Sequence, residues 1–276
     1  MKHDSTPAVF LTGIGRLEHR EVLVPEPGPG EVSIRVTAVG LCGSDAHWYE
    51  EGEIGDAVLD DDLILGHEFA GVIESGPRSG ERVAVDPAIP CLRCAFCLAG
   101  RSNLCTALRF AGHGSTDGAL RRRLTWPEHA LVALPDSLSD GEGALLEPLG
   151  VALHAIDIAG VDSGDSAGVF GCGPIGLLLV AALESKGVEQ IVVTDRLAHR
   201  LEAASVLGAT TTLLATEDGD ERSAVEEATT TGLDAVFETA GTDSALNTAL
   251  VAARPGGTAT IVGIPNRDRT SLVASL

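Results

Sequence analysis

Four of the six cysteines crowd into fifteen positions, Cys91, Cys94, Cys97 and Cys105, while Cys42 and Cys172 stand alone. The intervals within the cluster are two, two and seven residues. Four thiolates so spaced can wrap one tetrahedral Zn(II) and leave no coordination position open, the habit of a structural site. An iron–sulfur cluster competes for the same first two intervals. Ferredoxin-type runs place the next cysteine after three residues and follow it with proline. Here Cys105 comes after seven and precedes Thr106. That difference favours zinc. Disulfides fit less well, because a reducing cytosol keeps such thiols unpaired.

A glycine motif forms a second constellation. Gly171-Cys172-Gly173-Pro174-Ile175-Gly176 follows the apolar Val169-Phe170 and opens a long apolar stretch, and Asp195 stands nineteen positions beyond Gly176. The G-x-G-x-x-G pattern alone is weak, but between a strand and a helix it is the dinucleotide fingerprint. Gly171 makes the tight turn, Gly173 lets the backbone approach a pyrophosphate, and Gly176 lets the helix pack on the strand. The positive end of the helix then faces the phosphates. Asp195 accepts from ribose hydroxyls and repels a 2′-phosphate, which favours NAD over NADP. Cys172 needs no role there beyond small size.

Cys42 lies in Gly40-Leu41-Cys42-Gly43-Ser44-Asp45-Ala46-His47, and the next candidate ligands are His67 and Glu68. Singly each is dull, since a lone cysteine is most often a small buried hydrophobe. Beside a nicotinamide fold, a cysteine, a histidine and a carboxylate could hold a zinc whose fourth position stays open to substrate.

These residues need elements to position them. The chain has 276 residues, 44% hydrophobic and 21% charged, enough for about two domains at roughly 100–200 residues each. Its longest apolar run, Leu177–Leu183, is far short of the ~20 residues that span a bilayer, and the N-terminus lacks a secretory pattern. A cytoplasmic chain with no membrane partner is expected. The net charge of −21 repels phosphate backbones, so no nucleic-acid partner is expected either. With 3% aromatics, the cores must be built from Val, Leu, Ile and Ala.

The first half reads as short strands between turns: 31–38, 69–73, 82–85, 120–124 and 130–134. They suggest a small, irregular β-barrel or sandwich, with 91–105 a loop that something must hold. From about residue 142 a buried helix is expected, ending at Gly160. Strands and helices then alternate, with strands at 169–170, 191–193, 211–214, 234–237 and 259–262 and helices at 174–186, 198–207 and 244–253. That alternation predicts an α/β domain whose parallel sheet is covered on both faces. The boundary falls near residue 150, giving 1–150, with a lobe at 91–105, and 151–276.

Together these stretches resemble the zinc-dependent medium-chain dehydrogenases, most of all the polyol branch of sorbitol, xylitol and L-idonate dehydrogenases. The likeness runs through Gly40–His47, Trp48–Gly55, Gly66-His67-Glu68, the cysteine lobe, Leu146–Leu149, His154-Ala155, the glycine turn and Val262-Gly263-Ile264. It implies a GroES-like β-barrel domain followed by a Rossmann domain. It also implies an NAD-dependent oxidoreductase acting on a small alcohol or polyol, and a homo-oligomer. Other alcohol or threonine dehydrogenases of the same family are the alternative, as is an inactive zinc-binding fragment.

By that resemblance Cys42, His67 and Glu68 hold a catalytic zinc, with Glu147 binding it directly or through water. On residue type alone, Glu147 reads as a solvated acid on a helix face. Cys91, Cys94, Cys97 and Cys105 hold the structural zinc. Ser44 and His47 form a proton relay, and Ile175, Asp195, Arg200 and Val262–Ile264 contact NAD. Zinc acidifies the substrate hydroxyl, and the carbinol hydride passes to the nicotinamide. The family sheet has a sixth strand, and a further segment returns to the barrel and supplies the oligomerisation edge. After Pro265 the run NRDRTSLVASL departs from that pattern, so a C-terminally truncated relative with an incomplete sheet and little turnover is expected.

Overall fold

The computed structural model describes residues 5–216, 221–229 and 231–265. The expectation about residues 266–276 lies outside them. The chain divides into two compact units, Met1–Glu147 and Pro148–Leu276.

The first unit is built on a five-stranded antiparallel sheet in the order Arg123–Pro127, Glu31–Gly40, Glu68–Ile73, Arg82–Val85, Leu131–Ala133. Val32 and Ile34 alternate inward, as their period of two requires, and meet Phe69, Ile73, Val83, Leu124 and Trp126. The Phe69 and Trp126 rings meet edge to face at 6.1 Å. Buried Trp126 keeps its indole N–H paired by donating to the Asp86 carbonyl at 2.9 Å. A smaller sheet joins Arg16–Leu23, Ser5–Gly13 and Leu63–Ile64.

Three features of this unit depart from the sequence reading. The hairpin Ser5–Gly13/Arg16–Leu23 was not anticipated, and its second strand is exposed almost throughout, so no apolar alternation marks it. The strand expected at 120–124 runs instead from Arg123 to Pro127. Leu120 is tied elsewhere, donating to the Leu65 carbonyl and accepting from Val9 N–H. A helix also spans Gly43–Glu50 and buries only Asp45 and Trp48, too narrow a face to show as a 3.6-residue period.

The second unit carries a five-stranded parallel sheet in the order Thr211–Leu214, Gln190–Asp195, Ser166–Phe170, Leu233–Glu238, Ala253–Ile261. Both faces are covered, by core clusters around Val169, Leu179, Ile191 and Phe237 and around Phe170, Val192, Leu233 and Val236. Two-sided burial is why the central strands read as unbroken apolar runs. The helix Pro174–Lys186 has the expected limits. Proline at its first turn removes a donor the helix does not need, and Gly187 ends it at φ +87°.

The helix expected from about residue 142 is two helices, Asp140–Ala144 and Leu146–Ala159. Ser139 and Glu142 form a reciprocal cap for the first. Leu145, Leu153 and Ile158 are exposed, so this stretch is not buried on all sides. The polar helix Glu221–Thr229 had no sequence signal. The last strand is longer than the expected 259–262, because a register shift lets Ala253 pair with Leu233 and Thr258 with Ala235. No helix among the described residues is long and apolar enough to cross a membrane.

Candidate functional site

In the antiparallel register Gly40 lies opposite Glu68. The end of one strand and the start of its neighbour therefore share one end of the sheet. Cys42 follows the first and His67 precedes the second, and Cys42, His67 and Glu68 bring one donor atom each within 4.8 Å of one another. A Cβ on residue 40 would displace the Glu68 carboxylate, so glycine there leaves that carboxylate its place. Gly66, at φ +93°, makes the turn that delivers His67.

Asp45 holds this set together. It is 4% exposed, and its carboxylate accepts from Cys42 N–H at 2.9 Å and from Gly66 N–H at 3.2 Å. The same side chain stands 3.8 Å from His67 Nδ1. It therefore ties down both ligand-bearing loops and sets a carboxylate beside the imidazole. Asp45 has no role in the motifs read from the sequence; its place three residues after Cys42, at the start of the helix Gly43–Glu50, is the signal that could have found it. Phe110 packs its ring against His67 at 5.3 Å, and the His113 and Trp48 rings meet at 5.4 Å.

The electrostatics are those of a site short of positive charge. Burial pushes the Cys42 thiol up, with the Ser44 hydroxyl opposing, and pushes Glu68 up against the counter-pull of His67. Glu147 is pushed up to about 7, again mainly by burial. Its oxygens fall outside the three-donor group, although it senses both His67 and Glu68. A divalent cation favours the ionised form of each of these groups, so the residues present fit one. Ser44 and His47 lie three apart on the helix Gly43–Glu50 and so share a face. His47 Nδ1 is 3.4 Å from Glu51 Oε2.

The four lobe cysteines also lie within 4.8 Å of one another through their sulfurs. Cys91 N–H donates to Cys105 Sγ at 3.2 Å and Ala107 N–H to the same sulfur at 3.4 Å. Backbone N–H groups of Cys97 and Thr106 draw Cys94 down to about 6, whereas desolvation and its neighbouring thiols push Cys97 up to about 12. Backbone donors aimed at sulfur and a readily ionised thiol suit a thiolate–metal cluster.

In the second unit, a cavity of about 730 Å³ is lined by Gly171, Gly173, Pro174, Asp195 and Arg200, together with Arg196, Thr239 and Thr242, which the sequence reading did not select. Asp195 is anchored by accepting from Cys172 N–H at 2.7 Å and Leu197 N–H at 2.8 Å, and Arg200 lies 3.6 Å away. A Cβ on residue 176 would strike the Gly171 carbonyl, the close packing expected of the third glycine. Ile175 and Val262 pack on the core. Gly176, Gly263 and Ile264, like them, are not among the cavity-lining residues. Val262 and Gly263 donate to the Glu238 carbonyl. Burial pushes the Cys172 thiol up to about 12, in keeping with a small, inert filler.

Comparison with known proteins gives concordant matches. Residues 28–136 match the alcohol dehydrogenase GroES-like domain and residues 174–275 the zinc-binding dehydrogenase family. The chain is 40% identical over 259 residues to sorbitol dehydrogenase of Bacillus subtilis, covering 90% of this chain and 72% of that protein. It is 36% identical over 273 residues to L-idonate 5-dehydrogenase of Vitis vinifera, covering 95% and 75%. An Escherichia coli alcohol dehydrogenase solved with NADH superposes with a TM-score of 0.88 at 27% identity, over 98% of this chain and 79% of that one.

Proposed function

The chain belongs to the zinc-binding alcohol dehydrogenase family, and from that premise we propose that it moves a hydride between a polyol or secondary alcohol and NAD. The observation that carries this reading is the buried Cys42–His67–Glu68 set, three protein donors and so one short of a tetrahedron. A zinc ion bound there supplies Lewis acidity toward the substrate hydroxyl. Asp45 ties down the Cys42 and Gly66 loops and places a negative charge beside His67. Glu147, outside the donor group, contributes its carboxyl through water. Ser44 takes the substrate's hydroxyl proton and passes it to His47. Since His47 Nδ1 faces Glu51, the receiving atom is Nε2, and Glu51 steadies the imidazolium.

Asp195 holds the adenosine ribose hydroxyls at the mouth of the glycine turn, with Arg200 beside it, and Ile175 and Val262–Ile264 complete the support of NAD. The four lobe cysteines hold a second, structural zinc. The reading places the protein in the cytoplasm, as a self-associating enzyme with a small-molecule substrate.

The test is turnover of the purified chain, with zinc content measured alongside. Sorbitol, xylitol, L-idonate, primary alcohols and L-threonine are each assayed with NAD and NADP. The highest kcat/KM is expected with a polyol and NAD, and Asp195→Ala should narrow the gap between the cofactors. A primary alcohol or L-threonine as best substrate would overturn the polyol assignment, and no hydride transfer from a chain holding both zincs would overturn the catalytic one.

A further inference from the structure

The parallel sheet is laid down outward from its middle. Ser166–Phe170, Gln190–Asp195 and Thr211–Leu214 run to one side, and Leu233–Glu238 and Ala253–Ile261 then fill the other. In doubly wound sheets the crevice at that reversal takes a dinucleotide, one mononucleotide to each half. The glycine turn and Asp195 belong to the first half, so the nicotinamide falls to the second. Glu238 stands at the carboxyl end of the strand that opens this second half.

Glu238 is 2% exposed and is tied to both segments around it. Its Oε1 accepts from Ala240 N–H and Gly241 N–H, each at 2.8 Å, and Thr242 N–H is a third backbone donor to the carboxylate. Its carbonyl accepts from Val262 N–H at 2.8 Å and Gly263 N–H at 3.0 Å. A Cβ on residue 263 would strike the Gly241 backbone, so glycine lets the strand end close on this loop. Thr239 joins the loop to the first half, donating from Oγ1 to the Gly171 carbonyl at 2.5 Å. Thr239, Ala240 and Thr242 line the cavity of about 730 Å³. One buried residue thus holds a wall of that cavity and the strand end 262–264.

Asp195 and Glu238 differ in how their charge is met. Asp195 has Arg200 at 3.6 Å besides its two backbone donors. Glu238 has no cationic side chain within ion-pair distance among the described residues, and backbone N–H groups alone answer it. Burial pushes its carboxyl up, while the three backbone donors favour the ionised form. An anion that no cation offsets, shielded from water, acts strongly on a charge bound at the wall it holds.

We propose that Glu238 positions the nicotinamide half of the cofactor and sets its preference for the oxidised form. The nicotinamide ring is cationic in NAD⁺ and neutral in NADH, and charge near the ring is a lever by which a protein tunes a cofactor. A fixed anion in that half attracts only the oxidised ring. The bias favours binding of NAD⁺ and release of NADH, the direction of alcohol oxidation. The inference rests on the reading of this cavity as the NAD site.

Equilibrium binding to the whole zinc-loaded chain tests it, with NADH followed by its fluorescence and NAD⁺ by calorimetry. Glu238→Gln keeps the volume and an acceptor for the backbone donors but removes the charge. It should raise the Kd for NAD⁺ by about three- to tenfold more than the Kd for NADH. Glu238→Asp keeps the charge on a shorter stem, so it should weaken both forms together and leave their ratio near the parent's. Ala240→Lys, on the exposed cavity wall, leaves the buried carboxylate untouched and sets a cation beside it. The ratio should move as it does for Glu238→Gln, which keeps the proposal testable if that variant folds poorly. Melting temperature and zinc content are measured on every variant. A parent that binds both forms, with a ratio unmoved by Glu238→Gln and Ala240→Lys, would overturn the proposal and leave Glu238 a loop clamp. So would a folded Glu238→Asp that loses the preference. A parent that binds neither form would instead overturn the NAD reading, and this proposal with it.

Discussion

The cysteine lobe and the Cys42–His67–Glu68 set lie in one structural unit, each with donors gathered within 4.8 Å, yet they are assembled from opposite materials. The lobe draws four thiols from fifteen consecutive residues, and only Cys105 among them is buried. Its own backbone N–H groups point at the sulfurs. The other set joins residues 26 positions apart, with His67 and Glu68 buried, and owes its geometry to strand register and to Asp45. A local cluster relies on metal to hold its loop, whereas a set carried on a sheet is held by the sheet and can be kept ready for substrate. The two should therefore fail differently when altered.

The sharpest separation comes from the buried set. His67→Ala should lower kcat/KM by about 10³-fold or more, since the Lewis acid loses a ligand, while the melting temperature and the lobe zinc stay nearly unchanged. Metal analysis should find one zinc lost and one retained. Loss of both would show that the two sites are not independent. Asp45→Asn keeps the volume and removes the charge. A drop of about 10–100-fold in activity or metal affinity is expected, the usual cost of losing an outer partner of a ligating histidine. Full activity would reduce Asp45 to a helix cap.

Cys94→Ser acts on the other side of the comparison. Release of about one zinc per chain and faster proteolysis between Cys91 and Cys105 are expected, because a structural metal contributes folding free energy directly. Turnover per folded molecule should change only a few-fold. Unchanged zinc content would contradict the four-cysteine ligand set.

The smallest effect concerns pH in chelated protein. Glu147 ionises near 7 when folded against an ordinary 4.5. Between those values the folded state binds the extra proton, so stability declines as pH rises through about 4.5–7. Glu147→Gln should flatten that slope in urea titrations of the chelated chain. With zinc bound the slope should shrink as well, because the cation favours the ionised carboxyl.

Much of the second unit was legible beforehand because its signals are local. Two-sided burial writes strands as apolar runs, and the proline and glycine that bound Pro174–Lys186 are read from residue type alone. The spacing of the lobe cysteines is likewise a local fact, since a tetrahedral site needs only a short flexible connection between thiols. The strand Arg16–Leu23 and the helix Gly43–Glu50 were not legible. Neither buries a face wide enough to leave a period in the sequence.

What the sequence determined by itself is the chemical inventory: the clustered thiols, the glycine turn with its acid, and the large excess of negative charge. Cys42, His67 and Glu68 were open as a ligand set from residue type beside a dinucleotide fold, and only likeness to other chains selected them, since no spacing rule connects them. Tertiary structure decided that they meet, because antiparallel register sets Gly40 against Glu68, whose carboxylate takes the space beside it. It also decided that Asp45 is buried between the two loops and that Glu147 stands outside the donor group. Residue type is a local property, but burial and separation depend on what the rest of the chain packs around a group, and these set whether an acid is solvated, paired or placed beside a metal.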